Sequence, residues 1–147
     1  NDAAGTITRL LDMGFEPFLL SSTLECLVAQ RLIRRLCPEC RKAVEPDDTG
    51  MELLRRIRPQ GDVTIYEPQG CKACRGTGYR GRSGIFEIVT VSDGIRELIL
   101  KRASSQDIRR QATKEGMRTL LDDGLEKVLM GVTSIAEVLR VTQSDTI

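Results

Sequence analysis

The apolar residues of the first part of the chain recur at spacings of three and four, the pattern of helices that turn one face toward a core. A first helix is predicted to begin near Ala3 and to end at Gly14, since glycine is a common C-terminal cap. A second, longer helix is predicted to start at Pro17, a favoured first-turn residue, and to run to about Leu36. Its apolar positions are Leu20, Leu24, Leu27, Val28 and Leu32.

The middle of the chain changes to short elements and turn residues. Residues 51–57 predict a short helix that Pro59 ends, and residues 63–66 predict a short strand. The glycine-rich stretch over residues 76–84 predicts a loop. It leads into a β-branched and aromatic run over residues 85–91, which predicts a second strand.

After residue 91 the pattern predicts four short helices, each with its apolar positions on one face. Their candidate N-terminal caps are Ser92 or Asp93, Ser104, Thr119, and Ser134 in a capping box with Glu137. We therefore predict an α+β chain that is mostly helical and ends in a bundle of short helices.

Composition and charge narrow the functions that this fold serves. The chain has 147 residues, of which 40% are hydrophobic, enough for one ordinary domain or two small ones. A net charge of +1 and an aromatic content of 3% argue against a nucleic-acid-binding surface. The absence of histidine excludes Ser-His and Cys-His catalytic pairs. No apolar run is long enough to cross a bilayer, so we expect no transmembrane segment. Cysteines that are expected to be reduced, with no basic-then-apolar leader, indicate the cytoplasm.

Four cysteines carry the clearest chemical signal in the sequence. They form two Cys-x-x-Cys pairs, Cys37 with Cys40 and Cys71 with Cys74. Two such pairs supply four thiolates to one tetrahedral ion, which leaves no coordination position for water or substrate. The spacing therefore predicts a structural zinc site.

Three other uses of these cysteines compete with zinc. A redox pair expects a single Cys-x-x-Cys at the start of a helix, an iron-sulfur cluster favours more closely clustered cysteines, and a disulfide framework needs an oxidising compartment. Zinc fits the symmetric spacing best. The fifth cysteine, Cys26, lies among apolar residues and is predicted to be a small buried hydrophobe outside the site.

Basic residues gather near the first cysteine pair and in the glycine-rich stretch. The first group is Arg31, Arg34, Arg35, Arg41 and Lys42, and it is interpreted either as a solvated charge cluster or as a contact to phosphate or a neighbouring subunit. Residues 76–83 match a phosphate-loop pattern except that Arg82 replaces its lysine, but a strand follows where such a loop opens a helix. We therefore reject a phosphate loop here. Arg80 and Arg82 are interpreted either as side chains that reach an anion from outside or as simple surface charge.

Several stretches together resemble the C-terminal part of the type II secretion ATPase family, with the pilus-assembly ATPases as relatives. The most specific are residues 28–40 and 70–87, which include both cysteine pairs and a Gly-Tyr-Arg-Gly-Arg run. Residues 116–120, 123–127 and 131–138 resemble the same family. Residues 1–5 resemble the segment that follows the family's histidine box, and the chain starts with Asn1 already in a helical pattern. We therefore expect the sequence to be a piece of a longer protein.

The resemblance implies a fold and a function. It implies that residues 1–36 are the end of a RecA-like ATPase core, residues 37–76 a tetracysteine zinc subdomain, and residues 77–147 a short strand followed by a helical subdomain. It also implies a homo-hexameric ATPase that uses ATP and Mg and acts on platform proteins of the bacterial inner membrane. Arg31 and Arg82 are then candidates for sensing nucleotide state or a subunit interface.

The phosphate loop and the magnesium-handling residues of that family are absent from this sequence, so we expect the chain alone not to hydrolyse ATP. The alternatives are a pilus-assembly ATPase, a zinc-binding chaperone-like module and a nucleic-acid interaction module. The chaperone interpretation rests on residues 71–78, which resemble one repeat where several are expected.

Overall fold

A computed structural model describes residues 2–143 as a mixture of helices and strands. Within that range there are seven helices and four strands. In chain order they are α1 (Ala3–Asp12), α2 (Pro17–Thr23), β1 (Cys26–Leu36), β2 (Lys42–Val44), α3 (Asp48–Leu54), β3 (Ile65–Glu67), β4 (Tyr79–Thr90), α4 (Asp93–Leu100), α5 (Ser105–Lys114), α6 (Leu120–Leu129) and α7 (Ile135–Gln143). None of these helices combines the length and the apolar character that crossing a bilayer requires.

The chain divides into two compact units. Unit 1 contains the residues up to Gln30 together with Phe86–Thr119, and unit 2 contains Arg31–Ile85 together with the residues from Leu120 onward. The long strands β1 and β4 pair with each other and contribute residues to both units. The boundaries of these compact units differ from the predicted domain boundaries after residues 36 and 76. The predicted division into three functional parts stays a prediction.

Unit 1 is a helical unit with an aliphatic core. The predicted caps Ser92 and Ser104 are confirmed, since Ser92 accepts from the Ile95 N–H and Ser104 from the Asp107 N–H. Helix α1 has a cap that the sequence analysis did not name, Asp2, which accepts from the Gly5 N–H. Its buried core consists of Ala3, Ala4, Ile7, Leu11, Leu20, Leu27, Val89, Val91, Ile95, Ile99, Ile108 and Ala112. The apolar stripes predicted for α1, α4 and α5 are therefore confirmed.

The predicted long helix from Pro17 to about Leu36 is wrong. Helix α2 ends at Thr23, and the chain is extended from Cys26 to Leu36. Leu27 and Ile33 are buried, whereas Val28 and Leu32 are exposed, so the side chains follow the two-residue period of a strand. A short apolar run can match both periods, and here pairing with β4 decides between them.

Unit 2 consists of a small antiparallel pair, three helices and the adjoining parts of β1 and β4. Strands β2 and β3 pair with Lys42 opposite Glu67 and Val44 opposite Ile65. Helices α3, α6 and α7 belong to this unit. Its apolar cluster has Leu54, Val63, Ile65, Leu125, Val128 and Val138 as fully or almost fully buried members.

Two further expectations need correction. Strand β4 begins at Tyr79, so most of the stretch predicted as a glycine-rich loop is strand. The last four helices do not form one bundle, because α4 and α5 belong to unit 1 while α6 and α7 belong to unit 2. The reason is that all four present one apolar stripe each, a pattern that specifies burial but not the partner. The predicted helical subdomain extends to residue 147, and its residues 144–147 lie outside the residues that the structure describes.

Candidate metal centre

The four cysteines of the two pairs come together in unit 2, and we refer to Cys37, Cys40, Cys71 and Cys74 as the tetracysteine cluster. Their sulfur atoms all lie within 4.8 Å of one another. Three of the Sγ–Sγ distances are 3.8 Å: Cys37 to Cys71, Cys40 to Cys74, and Cys71 to Cys74. A tetrahedral zinc ion with Zn–S bonds of about 2.3 Å has sulfur atoms about 3.8 Å apart. The donor set and its spacing therefore fit a zinc ion.

Each pair is formed by a tight backbone turn. The Arg41 N–H donates to the Cys37 carbonyl over 3.0 Å, and the Gly76 N–H donates to the Cys71 carbonyl over 2.8 Å. The two turns are joined where the Cys37 N–H donates to the Gly78 carbonyl at 2.9 Å. Gly78 has a positive φ of 80°, and a Cβ there would lie 2.4 Å from the Pro68 Cβ. Glycine is therefore required at this position.

Backbone N–H groups donate to the sulfur atoms. The Gly70 N–H lies 3.3 Å from Cys40 Sγ, and Cys74 Sγ accepts from the N–H groups of Cys71 at 3.2 Å and Gly78 at 3.1 Å. Such bonds favour the thiolate, which is the form that binds metals. Cys37 and Cys74 are buried, while Cys40 and Cys71 are half-buried.

The surrounding protein groups give two of the thiols different acidities. Burial raises the pKa of the Cys40 thiol to about 11, although the Gly70 N–H works in the opposite direction. Burial also acts to raise the pKa of Cys74, but hydrogen bonds from the Cys71 and Gly78 N–H groups outweigh it and lower that pKa to about 6. Cys74 is thus the ligand most easily deprotonated of these two, and a cation that binds the full set must displace protons.

All five cysteines are free thiols. A disulfide needs sulfur atoms about 2.05 Å apart, so the separation of 3.8 Å is that of co-ligands and not of bonded sulfurs. Cys26 lies on β1 outside the cluster, as predicted, but it is exposed and not buried. The reason is that this segment is a strand, whose alternation turns Cys26 away from its buried neighbour Leu27.

The two predicted arginines lie on the paired long strands, Arg31 on β1 and Arg82 on β4. Arg82 is exposed and lines a surface cleft of about 280 Å³ with Arg34, Thr77, Tyr79 and Gly81. Arg31 is not one of the residues that line this cleft. The structure therefore brings Arg82 together with Arg34, a residue that the sequence offered only as one member of a basic cluster.

Glu137 was predicted only as part of a helix capping box, and the structure gives its carboxylate a different set of partners. Its side chain is buried, and it accepts hydrogen bonds from Arg34 Nη2 at 2.8 Å and from Arg140 Nη2 at 2.7 Å. Burial acts to raise the pKa of Glu137, but the bonds from Arg140 and Arg34 outweigh it and lower that pKa to about 2. In the predicted capping box Ser134 does accept from the Glu137 N–H, but the Glu137 carboxylate binds the two arginines.

Arg41, the residue after Cys40, also contacts a distant part of unit 2. Its Nη1 donates to the Gly131 carbonyl at 2.7 Å, and its guanidinium lies 4.2 Å from the centre of the Tyr66 ring. The only sequence signal for either arginine was its position beside the first cysteine pair, because Glu137 and Gly131 lie about a hundred residues further along the chain.

Comparison with known proteins gives one family. A sequence profile described as type II/IV secretion system protein matches residues 1–140. The chain is 46% identical over 145 residues to the type II secretion system protein E of Pseudomonas aeruginosa, an alignment that covers 99% of this chain and 28% of that protein. It is 42% identical over 147 residues to the type IV pilus assembly ATPase PilB of Myxococcus xanthus, covering 99% and 26%. The corresponding protein of Thermus thermophilus is 45% identical over 147 residues, covering 97% and 16%. The chain thus spans only about a quarter of the length of the first of these relatives.

Proposed function

Because the chain belongs to the type II/IV secretion system protein family, we propose that it is the zinc-binding C-terminal part of a cytoplasmic hexameric ATPase that powers type II protein secretion. The observation that carries the proposal is the identity of 46% to a type II secretion system protein E across almost the whole chain. Its partners are the other subunits of the homo-hexamer and the platform proteins of the inner membrane, which hold it at the cytoplasmic face.

Zinc is the metal that we propose for the tetracysteine cluster. Four thiolates at tetrahedral spacing are a typical structural zinc set, and the three backbone N–H···S bonds support the charge of the sulfurs. When bound, the ion supplies a fixed cross-link between two turns that lie thirty residues apart in the chain. ATP and Mg are proposed for the full-length protein. We expect the 147-residue chain by itself not to hydrolyse ATP, because its sequence lacks the family's phosphate loop and magnesium-handling residues.

Arg82 and Arg31 are proposed to transmit the nucleotide state within the hexamer, through contact with phosphate or with a neighbouring subunit. Arg82 is exposed, and its guanidinium supplies a fixed fork of donors that suits a phosphate or a carboxylate of a neighbouring subunit. An arginine in such a place stabilises phosphate charge directly, or rearranges an interface when that charge is lost. Residues 1–36 are proposed to complete a RecA-like nucleotide-binding core.

The test for Arg82 uses the full-length protein. Arg82→Ala should lower the turnover of ATP while one zinc per chain is retained, whereas Arg110→Ala, which removes an exposed arginine of α5 in unit 1, should leave turnover unchanged. An Arg82→Ala variant with unchanged turnover would remove this residue from the mechanism. Arg31→Ala, tested in the same way, decides the role of Arg31.

Pilus assembly is the second candidate function, and the identities of 42% and 45% to two pilus assembly ATPases favour it specifically. The family match over residues 1–140 gives no support to the chaperone-like and nucleic-acid interpretations. Disruption of the gene in its host separates the two candidates. Loss of exported enzymes from the medium with normal surface pili supports secretion, and the opposite result supports pilus assembly.

A further inference from the structure

The first cysteine pair is flanked by two arginines whose side chains reach the same distant segment. Arg34 precedes Cys37 by three residues, and Arg41 directly follows Cys40. Arg34 binds Glu137 in the first part of α7, and Arg41 binds the carbonyl of Gly131. We call Arg34 and Arg41 the arginine clamps and residues 130–134 the α6–α7 connection.

Each arginine clamp also lies against a tyrosine. The guanidinium of Arg34 is 4.2 Å from the centre of the Tyr79 ring, and that of Arg41 is 4.2 Å from the Tyr66 ring. Tyr79 directly follows Gly78, whose N–H donates to Cys74 Sγ. The Tyr79 hydroxyl lies 2.6 Å from Ser134 Oγ. The turn that carries the second cysteine pair is therefore tied to the same connection as the first.

Backbone groups join the two regions directly as well. The Leu36 N–H donates to the Val132 carbonyl at 2.8 Å, and Thr133 Oγ1 donates to the Arg34 carbonyl at 2.8 Å. Thr133 and Glu137 are buried, so these contacts cannot be exchanged freely for water. At Gly131 an added Cβ would lie 2.6 Å from Arg41 Nη1, so the arginine fits closely against the backbone.

We propose that the arginine clamps couple metal binding at the tetracysteine cluster to the packing of the α6–α7 connection and α7. This inference rests on the proposed zinc site. Each arginine clamp lies within three residues of a cysteine ligand in the sequence. The conformation of the first cysteine turn therefore determines where each guanidinium is placed relative to its partner. When the cation is removed, the two turns lose their cross-link. The guanidinium groups of Arg34 and Arg41 are then no longer held against Glu137 and the Gly131 carbonyl, and the packing of the α6–α7 connection weakens.

The coupling is necessarily reciprocal. If bound metal strengthens the packing of the connection by some factor, then intact packing strengthens metal binding by the same factor. Loss of an arginine clamp therefore weakens zinc binding, although neither arginine touches a sulfur ligand. Coupling between two sites of one protein is typically about 5–150-fold.

The first experiment measures hydrogen exchange of the full-length protein under reducing conditions, with zinc bound and after removal of zinc by a chelator. Zinc removal should speed exchange in residues 34–37 and 130–138 as well as in the cysteine turns, while exchange in α4 and α5 of unit 1 stays constant. If faster exchange is confined to residues 37–40 and 70–78, the coupling is refuted. This measurement needs no substitution, so it does not depend on how a variant folds.

The second experiment measures zinc affinity by competition with a chelator in Arg34→Gln and Arg41→Gln. Both variants should bind zinc about 5–150-fold more weakly than the wild type. The matched control is Arg35→Gln, which removes the exposed arginine next to Arg34 and should keep wild-type affinity. Equal affinity in all three variants would overturn the coupling.

The two experiments also separate failure of this inference from failure of the proposed zinc site. If the wild type takes up no zinc, then the zinc site and the coupling are both refuted. If it binds one zinc per chain but residues 130–138 exchange at the same rate with and without the metal, only the coupling is refuted.

Discussion

The core of unit 1 is aliphatic and lies among four helices and two strands, whereas unit 2 adds four thiols and a doubly paired carboxylate to a smaller aliphatic core. Unit 1 does contain one buried carboxylate, that of Glu87, which accepts from the Ala3 N–H at the start of α1. Both units therefore use polar groups to join distant segments, but those of unit 2 include the four thiols of the tetracysteine cluster and a carboxylate that binds two arginines. The two units should therefore respond differently to metal, to acid and to loss of a side chain.

The largest expected difference concerns the metal. Cys71→Ser should abolish zinc binding and destabilise unit 2, because structural zinc in small peptides has an apparent binding free energy of about 10–16 kcal/mol. Elemental analysis under reducing conditions should give about one zinc per chain for the wild type and none for the variant. The control is Cys26→Ser, which removes an exposed thiol outside the cluster and should keep the zinc. No zinc in carefully prepared wild type would contradict the whole description of unit 2 as metal-dependent.

The next largest effect comes from truncating one buried side chain in the aliphatic core of each unit. Ile108→Ala in unit 1 and Leu125→Ala in unit 2 each remove a fully buried side chain, which should lower the free energy of unfolding by about 2–5 kcal/mol. Only Leu125→Ala should also weaken zinc binding, because the tetracysteine cluster belongs to unit 2. Denaturant unfolding combined with chelator competition checks both statements. If Ile108→Ala weakens zinc binding as much as Leu125→Ala does, the two units do not differ in the way described here.

Glu137→Gln tests the buried ion pairs of unit 2. Removal of one partner of a fully buried pair costs about 3–5 kcal/mol, and we expect a loss at or below the lower end because the Arg34 side chain is 46% exposed. The measurement is the free energy of unfolding of the variant against the wild type at pH 7. A loss within about 0.5 kcal/mol, the range of ordinary surface substitutions, would show that the pairs are not important for stability.

The same pair predicts a dependence on pH. The pKa of Glu137 is lowered to about 2 in the folded chain, against about 4.3 for an unperturbed glutamate. A depressed pKa contributes stability that is fully present above the unfolded value and is lost as the pH falls through the folded value. The difference in unfolding free energy between wild type and Glu137→Gln should thus shrink as the pH falls from about 4.3 toward 2. Both proteins lose zinc in acid, and the effect of that loss on the free energy of unfolding cancels when the two values are subtracted.

Most of unit 1 could be predicted from the sequence because its information is local. Caps such as Ser92 and Ser104, and apolar residues at helical spacing, specify α1, α4 and α5 within a few neighbouring positions. The exception is β1, where the apolar spacing fitted a helix and only the distant partner β4 makes the segment a strand. A single sequence does not contain that pairing in any local signal.

The candidate site divides in the same way. The two Cys-x-x-Cys pairs could be predicted because metal ligands have strict spacing, and the structure brings their sulfurs within 4.8 Å of one another. The contacts of Arg34 with Glu137 and of Arg41 with Gly131 could not be predicted, because the partners are 103 and 90 residues apart. Arginine is common on protein surfaces, so its position beside a ligand does not identify what it binds.

The smallest expected effect compares the same kind of cap in the two units. Ser104 accepts from the Asp107 N–H at an exposed helix start in unit 1, and Ser134 accepts from the Glu137 N–H at a buried one in unit 2. Loss of a serine cap costs about 1 kcal/mol in the typical case, which we expect for Ser104→Ala. Ser134→Ala should cost more, about 2 kcal/mol, because the Tyr79 hydroxyl also loses its partner. Denaturant unfolding measures both, with Gln106→Ala at an exposed position of α5 as the control. Equal losses for the two serines would mean that the contact between Tyr79 and Ser134 adds no stability to the start of α7.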